Sequence, residues 1–347
     1  MPKTTLYSCE GEVLSIPEAV TRLGPLVSEE ELSMIEKNLY KITTKDVPDI
    51  IYQQALTRSK RLGSEKVLEV STSGKRSAYW NDEKIKFKGC NPKEKKRSSL
   101  YFDFEKQEEK SELEPWGTLR GKDVIREILG IISLEENGIR NILRPVAVYK
   151  YTENRFCLIE ECKTNRRAPE LYEGHTVLGS EFGFKDPLSL EKYNCQVTDI
   201  LTNMHVKGLF RGATDGHPEN VLVDDDGKVY LCDFCNFELG IPEKPEIFFM
   251  KALTEAIEAS PIIFSPIIKV VIGNKLDEKQ LENVFRIYMD RSTFYQEYTD
   301  KLLNKVSEMS QKFDKLSIKK GLKSAENSFL VKICCFSSIP TNIKTLF

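Results

Sequence analysis

Residues 211–235 read RGATDGHPENVLVDDDGKVYLCDFC. Two short apolar runs in this stretch, Val221–Val223 and Val229–Cys232, flank the acidic sequence Asp224-Asp225-Asp226-Gly227. Apolar, β-branched runs around an Asp-Gly turn are typical of two paired strands. The stretch therefore predicts a loop followed by a β-hairpin, and the rest of the chain can be arranged around it.

Three polar residues lie at the two ends of this predicted hairpin. Asp215 and Asn220 precede the first strand, and Asp233 follows the second. Because a hairpin returns the chain to the place where it began, we expect the three side chains to converge on a small volume. Two carboxylates and an amide oxygen are hard ligands that suit Mg²⁺, which also takes substrate phosphates. An acidic turn beside an ordinary hairpin is the alternative interpretation.

The spacing of these residues resembles the catalytic centre of protein-kinase-like phosphotransferases, in which H-R-D-x-x-x-x-N precedes the hairpin and D-F-G follows it. Asp215-Gly216-His217-Pro218-Glu219-Asn220 is most similar to the D-x-H-P-x-N form of small-molecule kinases, and Asp233-Phe234 stands at the Asp-Phe position. The resemblance implies that Asp215 is the catalytic residue and that Asn220 and Asp233 hold the metal. The chain departs from the family pattern at three positions, which are Ala213, Thr214 and Cys235.

The resemblance implies an α+β, two-lobed protein-kinase-like fold with a β-rich small lobe and a helical large lobe. We expect a helical N-terminal extension over residues 1–64, a small nucleotide-binding lobe over 65–162, and a large lobe with the catalytic loop over 163–347. The extension contains two helical patterns, one beginning after Ser28 and one running from Asp49 to about Lys60.

Three strand patterns open the small lobe, ending with Lys84-Ile85-Lys86-Phe87-Lys88. The turn between the first two contains a single glycine, Gly74, and in the kinase resemblance it covers the phosphates with backbone N–H groups. A plain hairpin turn explains Gly74 equally well. In the third strand the pattern parallels V-A-I-K, which makes Lys88 the phosphate-binding lysine. Since side chains alternate along a strand, Lys86 shares its face and is the alternative.

A helix with an apolar face formed by Val124, Ile128 and Ile132 follows a charged insert, and it carries Glu127. The resemblance implies that Glu127 pairs with the strand lysine; an exposed position is the alternative. Lys-Gly-x-x-Pro, beginning at Lys88, and the Arg-Glu pair ending at Glu127 are also similar to selenoprotein-O-like protein adenylyltransferases, another kinase-fold family.

A second hairpin pattern ends at Glu160-Glu161-Cys162, which the order of elements assigns to the adenine-binding segment between the lobes. We therefore include Glu160 among the nucleotide-binding candidates. Residues 193–206 are predicted to form a helix with an apolar face at Val197, Ile200, Leu201 and Met204, and further helices are predicted over 246–259, 262–272, 277–291 and 294–313. Met204-His205 and Gly208 resemble the L-H-x-x-G that ends the helix before a kinase catalytic loop, so we interpret His205 as structural.

Composition and charge indicate which partners and which cellular compartment to expect. The formal net charge of −2 in 347 residues gives no reason to expect a nucleic-acid partner. Nine cysteines, with no secretory signal at Met1-Pro2-Lys3, predict a reduced, cytoplasmic compartment. No apolar run reaches the length of a membrane span.

Together these patterns predict an ATP- and Mg²⁺-dependent kinase that transfers the γ-phosphoryl group to a hydroxyl of a protein or a small molecule. Two alternatives are an adenylyltransferase on the same fold, which would transfer AMP, and a catalytically weak pseudokinase that acts as a scaffold. The aspartate at position 215 argues against adenylyl transfer. The glycine-poor turn, Ala213 and Cys235 favour a scaffold, and the three candidate metal-site residues argue against one. The sequence does not indicate which acceptor is used or the oligomeric state.

Overall fold

A computed structural model describes most of the chain. The described residues are 11–42, 68–70, 77–80, 84–90, 96–103, 106, 108–115, 117–168, 172–173, 183–184, 190–212, 216–260, 293–309, 314, 316–325 and 327. Several predictions fall outside them, namely those for Gly74, for Ala213-Thr214-Asp215, for the second N-terminal helix, and for helices between residues 261 and 292.

The described chain is α+β, as expected. Its helices are α1 (Ile16–Leu23), α2 (Glu29–Asn38), α3 (Gly121–Glu136), α4 (Leu190–His205), α5 (Pro245–Ala259) and α6 (Thr293–Met309). Its strands are β1 (Glu12–Ser15), β2 (Leu68–Val70), β3 (Ser77–Trp80), β4 (Ile85–Lys88), β5 (Lys96–Asp103), β6 (Glu108–Pro115), β7 (Arg144–Thr152), β8 (Arg155–Glu161), β9 (Tyr172–Glu173), β10 (Gly183–Phe184), β11 (Leu209–Phe210), β12 (Val221–Val223), β13 (Val229–Leu231) and β14 (Glu238–Leu239).

Two compact units divide the chain. The first comprises Met1–Ser99, Ser111–Glu136 and Ile142–Asn165, and the second comprises Leu100–Lys110, Asn137–Asn141 and Arg166–Phe347. None of the described helices combines the length and the apolar character that a membrane-crossing segment needs.

An antiparallel sheet forms the centre of the first unit. Its six strands lie in the order β1-β7-β8-β4-β3-β2. Strands β4, β7 and β8 are rich in apolar and β-branched residues, which suit a pleated, buried surface. Their buried side chains form a continuous core that includes Phe87, Val146, Cys157 and Ile159. This core fixes the register of β4, and with it the position of each of its lysines.

Three helices complete the first unit. Helices α1 and α2 each begin with a serine capping box, Ser15 with Glu18 and Ser28 with Glu31, in which each serine and glutamate satisfies a backbone N–H of the other. Both helices pack against α3, whose side chains are almost all buried. The predicted helix after Ser28 is present as α2.

Strand β1 was not expected from the sequence, which favoured a mostly helical N-terminal segment. Glu12–Ser15 pair with Lys150–Ala147 of β7 and form one edge of the sheet. Only four residues long, β1 carries no clear alternation of its own, and its pairing partner lies far away in sequence. Within residues 11–42, the N-terminal segment thus belongs to the sheet-containing unit.

Helices dominate the described part of the second unit. Helices α4, α5 and α6 pack against one another, and the predicted apolar face of α4 is buried along its length at Val197, Leu201 and Met204. The hairpin predicted from residues 211–235 is present as β12 and β13, with Val221 opposite Leu231 and Val223 opposite Val229. Strand β11 pairs with β14 in a separate two-stranded sheet.

Candidate functional site

A buried ion pair joins the sheet and α3 in the first unit. Lys88 Nζ donates to Glu127 Oε2 at 2.7 Å, across 39 positions of sequence. The two side chains are only 7% and 1% exposed. The predicted pairing of these residues is therefore present, and Glu127 lies in the interior instead of on the exposed face of its helix.

The two candidate lysines of β4, Lys86 and Lys88, each lie near an acidic residue, and which of them binds phosphate stays a prediction. All four residues of β4 are buried, so burial alone does not separate the two lysines. Lys88 is the one that contacts Glu127, whereas Lys86 lies directly opposite Glu160 in the register between β4 and β8. Opposite charges at facing positions of antiparallel strands attract each other, so each lysine has a different acidic neighbour.

Glu160 is the penultimate residue of β8, next to the point at which the chain leaves the sheet. It lies within β8, between Lys86 of β4 and Pro145 of β7, and it is 1% exposed. The chain leaves the sheet at Cys162, whose N–H donates to Lys84 O at 2.7 Å. Glu160 therefore places a carboxyl group inside the sheet of the first unit, and its contact with a nucleotide stays a prediction.

Asn220 and Asp233 come together in the second unit at the open end of the β12–β13 hairpin. The N–H of Cys232 donates to the carbonyl of Asn220 at 3.0 Å, one step beyond the last paired residues of the two strands. Asp233 follows Cys232 directly, so the hairpin brings the two candidate metal ligands to the same end, as the sequence predicted. Asn220 is buried and Asp233 is half-buried.

The backbone of Asp233 is unusual. Its φ of 68° lies in the left-handed region, which costs an L-residue about 1–2 kcal/mol. Strained residues of this kind persist only where the surrounding structure holds them, and they cluster at functional sites. Here the following side chain provides the anchor, because Phe234 is fully buried and packs edge-on against Phe237 with ring centroids 6.3 Å apart.

His217 lies beside Asn220. The N–H of Asn220 donates to His217 O at 2.9 Å, and Asn220 Nδ2 lies 3.4 Å from His217 Nε2. These contacts close a short 3₁₀ turn, Pro218–Asn220, immediately before β12. The turn orients the amide side chain of Asn220, whose carbonyl oxygen is the atom suited to a hard cation.

A buried polar cluster lies behind this turn and was not predicted. We define the polar cluster as His205, Arg211, Glu255 and Tyr298. Glu255 Oε1 accepts from Arg211 Nε at 2.7 Å, and Glu255 Oε2 lies 3.0 Å from His205 Nε2. His205 Nδ1 lies 2.5 Å from the hydroxyl of Tyr298. His205, interpreted as structural from the sequence, is thus a buried link between helices α4, α5 and α6.

The electrostatics of the cluster follow from these contacts. Burial alone would raise the pKa of the Glu255 carboxyl, but the charges and hydrogen bonds of His205 and Arg211 outweigh it and lower the pKa to about 2. Burial, together with the negative charge of Glu255, raises the pKa of the Tyr298 phenol well above its ordinary value. Glu255 is therefore held as a carboxylate and Tyr298 as a neutral phenol.

The cluster had one visible sign in the sequence. Glu255 stands in a largely apolar helix, where Ala252, Leu253, Ala256 and Ile257 are all buried around it. A carboxylate in such surroundings needs a charged partner. The sequence does not say which of the 51 basic residues supplies it.

Comparison with known proteins gives no further guide to this arrangement: no family model and no curated protein matches the chain.

Proposed function

We propose that this chain is an ATP- and Mg²⁺-dependent phosphotransferase with a two-lobed, protein-kinase-like fold, in which the first unit corresponds to the small lobe and the second to the large lobe. The observation that carries the proposal is the buried pair between Lys88 on β4 and Glu127 on α3. A protein gains little stability from a buried ion pair, because well-packed apolar residues serve as well or better. A lysine oriented by a helix glutamate is what a phosphate-binding site requires.

The second unit supplies the groups suited to a metal ion. Asn220 and Asp233 offer hard oxygen donors from the same end of one hairpin, and this donor chemistry fits Mg²⁺. The strained backbone of Asp233 supports a functional role for its carboxylate. When bound, Mg²⁺ neutralises charge on the phosphates.

The residues divide the work of the reaction as follows. Glu127 orients Lys88, whose ammonium group binds the α- and β-phosphates of ATP. Asn220 and Asp233 would hold the metal ion. Asp215 accepts or orients the proton of the attacking hydroxyl, a contribution of about 10²–10⁴-fold for a positioned base. Phosphoryl transfer asks the protein mainly for such positioning and charge stabilisation. The acceptor is a hydroxyl of a protein or a small molecule.

The test uses ATP labelled at either the α- or the γ-phosphate and measures transfer of the label to panels of protein and metabolite acceptors. We expect label from the γ position and none from the α position. Lys88→Met should reduce the transfer by at least about 100-fold. Lys122→Met is the matched control, since Lys122 is an exposed lysine on α3, and it should transfer at the wild-type rate.

Two outcomes would overturn the proposal. Label arriving from the α position would mean adenylyl transfer, the alternative that Lys88-Gly89 and Arg126-Glu127 suggested. No transfer and no nucleotide binding by the folded wild-type protein would identify the chain as a binding module instead of an enzyme.

A further inference from the structure

Among the residues that the structure describes, Arg211 is the largest fully buried side chain, with no measurable exposure. It stands directly after β11 and precedes the turn that carries Asn220. Its Nε donates to Glu255 Oε1 at 2.7 Å, and its own backbone N–H donates to Glu255 Oε2 at 3.1 Å. A single carboxylate on α5 thus holds both the backbone and the side chain of Arg211.

The other arm of the guanidinium reaches forward along the chain. Arg211 Nη2 donates to the carbonyl oxygen of Gly216 at 3.0 Å. Gly216 is the residue before His217, whose carbonyl accepts from the N–H of Asn220. Arg211 therefore connects α5 to the beginning of the segment 216–220, which ends at a candidate metal ligand.

Close packing against α5 holds the same segment from a second side. A Cβ atom added at Gly216 would lie 2.8 Å from Glu258 Oε2, 2.9 Å from Glu258 Cβ and 3.0 Å from the carbonyl oxygen of Glu255. These distances are shorter than van der Waals contact allows, and two of the three atoms belong to the body of the helix. The absence of a side chain at position 216 thus lets the segment lie directly on α5.

The other members of the polar cluster, His205 and Tyr298, hold Glu255 in place. Glu255 also binds His205 at the end of α4, and His205 binds Tyr298 of α6. His205 stacks on Phe210, the residue immediately before Arg211, with ring centroids 5.2 Å apart. The carboxylate that holds Arg211 is therefore linked to α4 directly and to α6 through His205.

We propose that Arg211 is a positioning residue for the metal-binding turn: through Glu255 and Gly216 it places the segment 216–220 so that Asn220 meets the metal ion. The proposal rests on the proposed function for the identity of the ligand, Mg²⁺ with ATP. The geometric part, that Arg211 holds 216–220 in place, stands independently of the reaction.

The test uses Arg211→Lys, which keeps the positive charge but cannot reach Glu255 and Gly216 together. The first readout is amide hydrogen exchange of the peptide that spans residues 216–220, in the absence of nucleotide. We expect exchange in this peptide to become faster by on the order of tenfold, with little change in peptides from the first unit. The second readout is the Mg²⁺ concentration that gives half-maximal ATP turnover, measured together with kcat and KM for ATP.

A role in positioning should raise the half-saturating Mg²⁺ concentration several-fold and lower kcat by up to about 100-fold, with KM for ATP within about twofold of wild type. Thr198→Val is the control for a purely structural loss. Thr198 is a fully buried residue of α4 whose hydroxyl donates to Asn194 O at 2.6 Å. This control should lower Tm while leaving both the exchange of 216–220 and the Mg²⁺ dependence unchanged.

A second variant keeps the test decisive where Arg211→Lys fails to fold. Arg211→Met combined with Glu255→Gln removes both charges of the pair, and the glutamine side chain keeps a hydrogen-bonding group next to His205. We expect the folded double variant to show the same rapid exchange in residues 216–220 and the same weakened Mg²⁺ dependence.

The outcomes separate the two proposals. Wild-type exchange in 216–220 in both Arg211 variants would overturn the positioning role whatever the activity. Faster exchange with an unchanged Mg²⁺ dependence of turnover would overturn the link to the metal and leave the kinase proposal intact. A wild-type protein without nucleotide turnover would overturn the kinase proposal, and faster exchange would then support only the geometric part of the inference.

Discussion

Substitutions at Lys88 and Glu127 can distinguish what this ion pair contributes to stability from what it contributes to activity. Both charges are buried and they lie 2.7 Å apart, so each compensates the other for the loss of water. Removing one charge leaves the second uncompensated, at a cost of about 3–5 kcal/mol, whereas removing both is close to neutral. Stability and activity should therefore respond differently to single and double substitutions.

We expect Lys88→Met to lower the free energy of unfolding by about 3–5 kcal/mol, and Lys88→Met combined with Glu127→Leu to restore most of it. Phosphoryl transfer should be lost in both variants, because neither has a cation for the phosphates. Urea unfolding and transfer assays measure the two effects. Recovery of activity along with stability in the double variant would show that the pair serves only the fold.

Asp233 allows a substitution that changes charge without changing shape. Asparagine is nearly isosteric with aspartate, and both tolerate the left-handed backbone region better than other side chains do. The φ of 68° at this position should therefore survive in Asp233→Asn.

The expected result for Asp233→Asn is a Tm within about 2 °C of wild type and a loss of Mg²⁺-dependent transfer of at least about 100-fold. Asp226→Asn provides the comparison, since Asp226 is an exposed aspartate in the turn of the same hairpin, and its activity should not change. Transfer by Asp233→Asn at the wild-type rate would remove Asp233 from the metal site.

At the scale of elements, the carboxylate of Glu255 joins α5 to α4 through His205 and to the end of β11 through Arg211. Its pKa is about 2 in the folded protein, against an ordinary value of 4.5. A carboxyl group whose pKa is lower in the folded state stabilises the fold above its ordinary pKa, and that contribution is lost as the pH falls towards the folded value.

Between pH 4.5 and pH 2, the wild-type protein should therefore lose about 3 kcal/mol of stability through this group. Glu255→Gln should be less stable than wild type at neutral pH, and the difference should shrink by that amount over the same range. Chemical denaturation at a series of pH values gives the measurement. Glu12→Gln is the control. The Glu12 carboxyl also has a lowered pKa, through a hydrogen bond with Arg22, but it is exposed. The Glu12→Gln variant should therefore lose as much stability at acid pH as the wild-type protein does. A constant difference between wild type and Glu255→Gln would contradict the assignment.

At the scale of the whole molecule, the proposed function requires that one ligand, Mg²⁺ with a nucleotide, stabilises the folded chain. A ligand present at about 100 times its dissociation constant stabilises the state that binds it by about 2.7 kcal/mol. For a chain of 347 residues, that should raise Tm by roughly 4 °C.

Thermal unfolding measures this rise. We expect it when Mg²⁺ and a non-hydrolysable ATP analogue are added together. The rise should be absent in Lys88→Met and present in Lys122→Met. An equal rise in Lys88→Met and in wild type would place nucleotide binding elsewhere in the chain.

Much of the secondary structure was readable from local pattern. The acidic turn between two apolar runs predicted β12 and β13, and the apolar periodicity of residues 124–132 and 193–206 predicted α3 and α4. These elements depend on neighbouring residues along the chain, which side-chain spacing records directly. The convergence of Asn220 and Asp233 followed for the same reason, since a hairpin brings its own ends together.

Long-range packing decided the rest. Three contacts join residues that are far apart in sequence, and the local pattern around one residue does not identify its partner. They are the pairing of β1 with β7, the ion pair of Lys88 with Glu127, and the hydrogen bond of Arg211 to Glu255 across 44 positions. The geometry of the surrounding core determines which charged groups pair. A charged group needs a partner only after packing has removed the water that hydrated it. The candidate metal ligands were therefore visible in the sequence, whereas the arginine that we propose to position them was identified by its contacts in the folded chain.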